Sequence, residues 1–120
     1  MNEIKRRRYL WGLKAERMAA LWLKLKGYQI LETRYKSPAG EIDLIAKKGR
    51  MLVAVEVKAR ATWDQGAESI TEHQKRRIVR GFESYLSRSY QGANYDVRFD
   101  VILISPWSWP HHIQNAWMAR

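Results

Sequence analysis

The sequence predicts a single α/β domain in which a mixed β-sheet is flanked by helices. Three observations predict it. The chain has 120 residues, 46% of them hydrophobic, which supports one core burying roughly two-thirds of the unfolded surface. Two segments space their apolar residues with the period of a helix, and the remaining regular runs are β-branched with period two. Their order is α-β-β-β-α-β, with no internal repeat and no low-complexity linker.

The chain opens with a polar tail, residues 1–8, ahead of a domain spanning 9–120. The tail contains Lys5, Arg6, Arg7 and Arg8, a run that is either solvated or a sequence-independent contact to phosphate. From about Tyr9 to Lys26 the apolar stripe Trp11, Ala15, Met18, Trp22 and Leu25 predicts a helix, stopped by Gly27. Glu16 lies at the margin of the stripe, as a boundary residue paired with a basic neighbour or as a carboxylate reaching towards the sheet. Tyr28 to Tyr35 reads as a strand, and Ser37-Pro38-Ala39-Gly40 as the turn after it.

Gly40 to Arg60 carries most of the chemistry. Two β-branched runs flank Lys47-Lys48-Gly49-Arg50, a hairpin signal. Glu41 and Asp43 share one face of the first run; Ala54, Glu56, Lys58 and Arg60 share one face of the second. A two-residue loop at Lys48-Gly49 would pair Lys47 with Arg50 and make Asp43 and Glu56 diagonal neighbours, within roughly 7–8 Å. A three-residue loop would turn Asp43 to the other face unless a bulge restored it. On the favoured register two or three carboxylates crowd beside a lysine. Two carboxylates with waters and a substrate phosphate are how proteins usually hold Mg²⁺, and a lysine there can stabilise charge on phosphorus. The same residues also read as cross-strand ion pairs on a solvated sheet face.

Ala61 to Glu68 has no steady period and reads as a loop, in which Trp63 either packs at an edge or stacks on a base. Ser69 and Thr71 compete as N-caps, with Glu72 and Gln74 as their capping-box partners. The helix that follows runs to about Ser89, with Ile78, Phe82, Tyr85 and Leu86 inward and Arg76, Arg77 and Arg80 outward. Lys75, Arg76 and Arg77 are phosphate contacts or a solvated face. Gln91 to Asn94 forms a turn before a strand from Tyr95 to Ile104, where Asp100 is a candidate partner for Lys58 or Arg60. Ser105 to Pro110 is irregular, and His112 to Trp117 leaves room for a short edge strand. Adjacent histidines diverge in a strand, so His111 and His112 do not make a zinc pair.

The formal charge is +10 and the sequence pI about 10.2, a balance suited to polyanions. No apolar run approaches a membrane span, which excludes a membrane partner of that kind. No signal peptide is legible, and the chain has no cysteine; both fit the cytoplasm.

An acidic residue on one strand followed by Glu-x-Lys on the next, here Asp43 with Glu56-Val57-Lys58, resembles the PD-(D/E)xK nuclease motif. More closely, Gly40-Glu41-Ile42-Asp43-Leu44-Ile45-Ala46 with Val55-Glu56-Val57-Lys58-Ala59-Arg60 resembles the YraN-type family of small bacterial predicted endonucleases, distantly related to archaeal Holliday junction resolvases. The resemblance runs from Trp11 to Trp117. Ala15 stands where a second glycine is usual in that family's first helix. The resemblance implies a restriction-endonuclease-like core and metal-dependent hydrolysis of DNA, branched or non-duplex DNA included. It also implies that Asp43, Glu56 and the Val57 carbonyl hold Mg²⁺ or Mn²⁺. Lys58 would act on the attacking water or the phosphorus, with Glu16 and Glu41 as secondary carboxylates. Other readings are a non-catalytic nucleic-acid-binding module that keeps the fold, and a basic adaptor for a protein partner. The oligomeric state is open, a dimer among the options.

Overall fold

A computed structural model of the chain describes residues 2–60, 70–90 and 92–119. Helix α1 (Glu3–Leu25) leads into strands β1 (Gln29–Lys36), β2 (Glu41–Lys48) and β3 (Met51–Ala59). Helix α2 (Glu72–Ser89) connects β3 to β4 (Asp96–Ile104), and β5 (His111–Trp117) closes the chain. The strands form one sheet in the order β1-β2-β3-β4-β5, all neighbours antiparallel except the parallel pair β3–β4. The expected mixed sheet between helices is present, and the edge strand β5 with it.

Helix α1 starts at Glu3, well before the first residue of the predicted stripe. Asn2 caps it by accepting the Lys5 N–H at 2.8 Å, and Glu3 pairs with Arg7 one turn on at 3.2 Å. Its buried line is also rotated from the predicted one: Ala15, Ala19 and Leu23 are buried, while Leu25 is 73% exposed. Alanine on the contact line lets the helix axis approach the sheet closely, leaving Trp11 and Met18 to pack at the margin. That rotation turns Glu16 towards the strands.

The sheet is buried on both faces. Leu44, Ala46, Val53 and Val55 pack under α1, whereas Ile45, Leu52 and Ala54 pack under α2 with Ile78 and Phe82. The alternation predicted for β3 is thus observed. The hairpin register differs from expectation by two residues: Lys48 pairs with Met51, so the loop is Gly49-Arg50. Gly49 has φ of 61°, the left-handed conformation that a two-residue loop with glycine first requires. A shift of two keeps the side chains of the paired run, from Leu44 to Lys48 and from Met51 to Val55, on their predicted faces.

Helix α2 begins with the capping box at Thr71: the Thr71 hydroxyl accepts the Gln74 N–H at 3.1 Å, and the Gln74 side chain accepts the Thr71 N–H at 2.9 Å. The helix is seated by two glycines. A Cβ at Gly40 would overlap the Arg77 carbonyl oxygen, and one at Gly81 would lie 3.2 Å from the Gly40 carbonyl carbon. This close approach brings the start of β2 against the second turn of α2. The loop expected at 61–68, with Trp63, and the alternative cap Ser69 lie outside the described residues.

Behind the sheet is a polar network that the sequence did not disclose. Asp100 is fully buried and accepts from Arg98 (2.8 and 2.7 Å), from His112 (2.7 Å) and from the Asn115 N–H (2.9 Å). Arg98 also donates to the Tyr28 hydroxyl at 2.6 Å. The Lys26 ammonium lies 2.6 Å from His112 Nδ1; an ammonium only donates, so the ring proton sits on Nε2, facing Asp100. Asp100 therefore partners Arg98 and His112, not Lys58 or Arg60.

Candidate active site

The β2–β3 ladder ends with Leu44 opposite Val55, and the next residues along are Asp43 and Glu56. Ile42 packs with the α2 cluster although Leu44, two residues on, packs under α1, so strict alternation along β2 ends at Asp43. In place of the next ladder bond, Asp43 Oδ2 accepts the Val57 N–H at 2.8 Å. The N–H and C=O of one strand residue point to the same side, so the Val57 carbonyl also faces Asp43's side of β3.

Glu56 and Lys58 stand next to one another on the same face of β3, with Lys58 Nζ 3.6 Å from Glu56 Oε2 and both side chains 13% exposed. Burial, a hydrogen bond shared with Asp43 and the Asp43 charge push the Glu56 carboxyl up to about 9, against a smaller opposing effect of Lys58. Burial and the neighbouring Asp43 charge thus hold the proton on Glu56, and a bound cation would favour its release. Glu16 comes from α1: burial and the Asp43 charge raise its pKa, while Arg34 lowers it. Arg34 pairs with Glu16 at 3.2 Å and has φ of 53°, a backbone conformation uncommon for a residue with a side chain.

The carboxylates border two openings. On the α1 side is a cleft of about 460 Å³ lined by Arg8, Trp11, Glu16, Asp43, Glu56, Lys58 and Arg60, among others. On the α2 side a hollow of about 180 Å³ is lined by Glu41, Asp43, Glu56, Gln74, Arg77 and Ile78. Asp43 and Glu56 line both. The predicted residues Asp43, Glu56, Val57, Lys58 and Glu16 are thus brought together, and Glu41 joins them only from the α2 side.

The basic residues divide. Arg8 reaches the cleft, Arg7 pairs with Glu3, and Lys5 and Arg6 are exposed on the first turns of α1. Lys75 pairs with Glu72 at 3.1 Å and lines, with Arg76, a separate hollow beside Trp117. Arg77, expected to point outward, instead lines the acidic hollow. The Gly40–Gly81 contact sets the roll of α2 and so turns Arg77 inward, an effect no helical periodicity reports.

As a donor set, Asp43, Glu56 and the Val57 carbonyl suit a hard cation that keeps part of its water shell. Among the described residues no three His, Cys, Asp or Glu side chains form a cluster that could enclose a metal ion by themselves. No described helix is long and apolar enough to cross a membrane.

The fold is a single α/β domain with a five-stranded mixed sheet and two helices. It is similar to Hjc, a Holliday junction resolvase of Archaeoglobus fulgidus, with a TM-score of 0.54 and 20% identity over 82% of this chain and 72% of that one. The family follows from sequence: the model of the uncharacterised protein family UPF0102 matches residues 15–104, and the chain belongs to that family. Two relatives are a UPF0102 protein of Parvibaculum lavamentivorans, 49% identical over 91% of this chain and 82% of its own length, and one of Paramagnetospirillum magneticum, 49% identical over 88% of this chain and 85% of its own. The YraN-type resemblance and the fold expected from it are borne out.

Proposed function

We propose that this protein is a metal-dependent endonuclease that hydrolyses phosphodiester bonds in DNA, working in the cytoplasm. The observation that carries the proposal is the convergence of Asp43, Glu56 and Lys58 where β2 and β3 part, in a cleft bordered by Arg8 and Arg60. Asp43, Glu56 and the Val57 carbonyl would hold Mg²⁺ or Mn²⁺. Such an ion supplies a water of lowered pKa and a counter-charge for the phosphate oxygens. Glu56, protonated while the cation is absent, gives up its proton on binding it. Lys58, beside Glu56 on the same face of β3, would face a phosphate oxygen or orient the attacking water. Arg8 and Arg60 hold the neighbouring phosphates. Glu16, paired with Arg34, would serve as a secondary carboxylate on the α1 side and Glu41 as one on the α2 side.

The competing reading is a nucleic-acid-binding module that keeps the fold and does not cut; the absence of a three-carboxylate cluster among the described residues favours it. The two separate in one assay. Labelled duplex, single-stranded and four-way-junction DNA are incubated in Mg²⁺ and Mn²⁺, with binding measured in Ca²⁺. Glu56→Gln should abolish cleavage yet bind at least as well as the parent, a negative charge facing phosphate having gone. Lys58→Ala should weaken binding slightly and cut turnover heavily. If the parent binds all three substrates and cuts none, the endonuclease is refuted and the binding module stands.

A further inference from the structure

The segment between β4 and β5 reads Ser105-Pro106-Trp107-Ser108-Trp109-Pro110, and both tryptophans face solvent. Trp107 is 94% exposed and Trp109 78%. Trp109 leans on Trp22 of α1, with ring centroids 5.9 Å apart at 33°. Pro106 and Pro110 bracket the pair and fix their own φ, which limits the backbone on either side of the two rings.

Their place in the fold gives them a neighbour. Strands β3 and β4 are parallel and end together, Ala59 beside Ile104, and the Arg60 N–H donates to the Ile104 carbonyl at 3.0 Å. The aromatic segment therefore begins immediately beside Arg60, which lines the cleft holding Glu56 and Lys58. Large apolar rings are thus exposed on a protein of charge +10, in a segment that leaves the sheet beside Arg60 and comes to rest on Trp22 of α1.

We infer that Trp107 and Trp109 form a stacking platform for an unpaired nucleotide of the substrate, next to the cleft. Duplex DNA keeps its base faces stacked on one another and offers none to a tryptophan; a fork, gap or single strand does. The inference rests on the nuclease reading and adds a substrate class: DNA with unpaired nucleotides flanking the phosphate to be cut. Arg60 takes the backbone while the rings take the base.

The test compares a continuous duplex with a forked duplex of the same sequence carrying unpaired arms, both bound in Ca²⁺. The parent should prefer the fork. Trp107→Ala, whose exposed ring supports no packing, and the Trp107→Ala/Trp109→Ala double variant should lower the fork-to-duplex affinity ratio by about 5- to 150-fold, and Trp107→Phe should keep most of it. An unchanged ratio in the double variant overturns the platform. So does association of the parent with anionic lipid vesicles, or self-association, that the same substitutions abolish while the ratio stays fixed. The two readings fail separately. Glu56-dependent cleavage with an unchanged ratio removes the platform alone, whereas a lowered ratio in a protein that never cuts removes the enzyme alone.

Discussion

Asp43 Oδ2 accepts the backbone N–H of Val57 at 2.8 Å, so one carboxylate oxygen replaces a rung of the β2–β3 ladder. Asp43→Asn can keep that bond through its amide oxygen; Asp43→Ala cannot, and leaves a part-buried N–H unpaired. The alanine variant should lose about 1–3 kcal/mol in urea denaturation and the asparagine variant much less, while both bind Mn²⁺ far more weakly than the parent. Equal stability of the two variants would show that the bond contributes nothing to the fold.

Glu56 sets a pH dependence of the metal-free protein. Its folded-state value, pushed up to about 9, lies above that of the unfolded chain. The folded state thus keeps a proton the unfolded state gives up, and stability falls as pH rises from the ordinary glutamate range towards 9. Glu56→Gln removes this titration. In EDTA its advantage over the parent should be near zero at pH 4 and reach on the order of a few kcal/mol at pH 9. Parallel stability curves across that window would contradict the burial argument. Mn²⁺ affinity of the parent should rise over the same window, with proton release.

Asp100 behaves in the opposite sense. Burial alone would raise its carboxyl, but hydrogen bonds from His112, Arg98 and the Asn115 N–H outweigh it and hold the value below the ordinary aspartate range. The stability it confers is present at neutral pH and drains away as pH falls from that range towards the lowered folded-state value. Asp100→Ala strands Arg98 and His112 and should cost about 3–5 kcal/mol at pH 7, read by urea denaturation. The difference from the parent should narrow near pH 3. A variant as stable as the parent at pH 7 would mean that the network is energetically idle.

Binding to DNA should weaken steeply with salt. Replacing Lys5, Arg6 and Arg8 together by glutamine should reduce the slope of log K against log salt by up to about 3 on duplex DNA, if each touches a phosphate. An unchanged slope would take the first turns of α1 out of the interface.

The hairpin chemistry is legible because strand parity survives an error of two in register; Asp43 and Glu56 line the same two openings although the loop is Gly49-Arg50. The start of α1 was missed because four successive basic residues mask the quieter signals of Asn2 as cap and Glu3 one turn before Arg7. The Asp100 network could not be read. It depends on β5 pairing back onto β4 across an irregularity between Phe99 and Val101, and nothing local to Asp100 announces His112. Arg77 was misplaced for a related reason: the roll of α2 comes from the far side of a contact.

That contact has a genetic consequence. Gly40 and Gly81 carry no reactive group, yet they seat the helix that supplies Gln74 and Arg77 beside Asp43 and Glu56. A screen scored only on DNA cleavage should recover Gly40→Ala among its null alleles, alongside changes to the carboxylates. Second-site suppressors of that allele should map to the residues of α2 that face the start of β2.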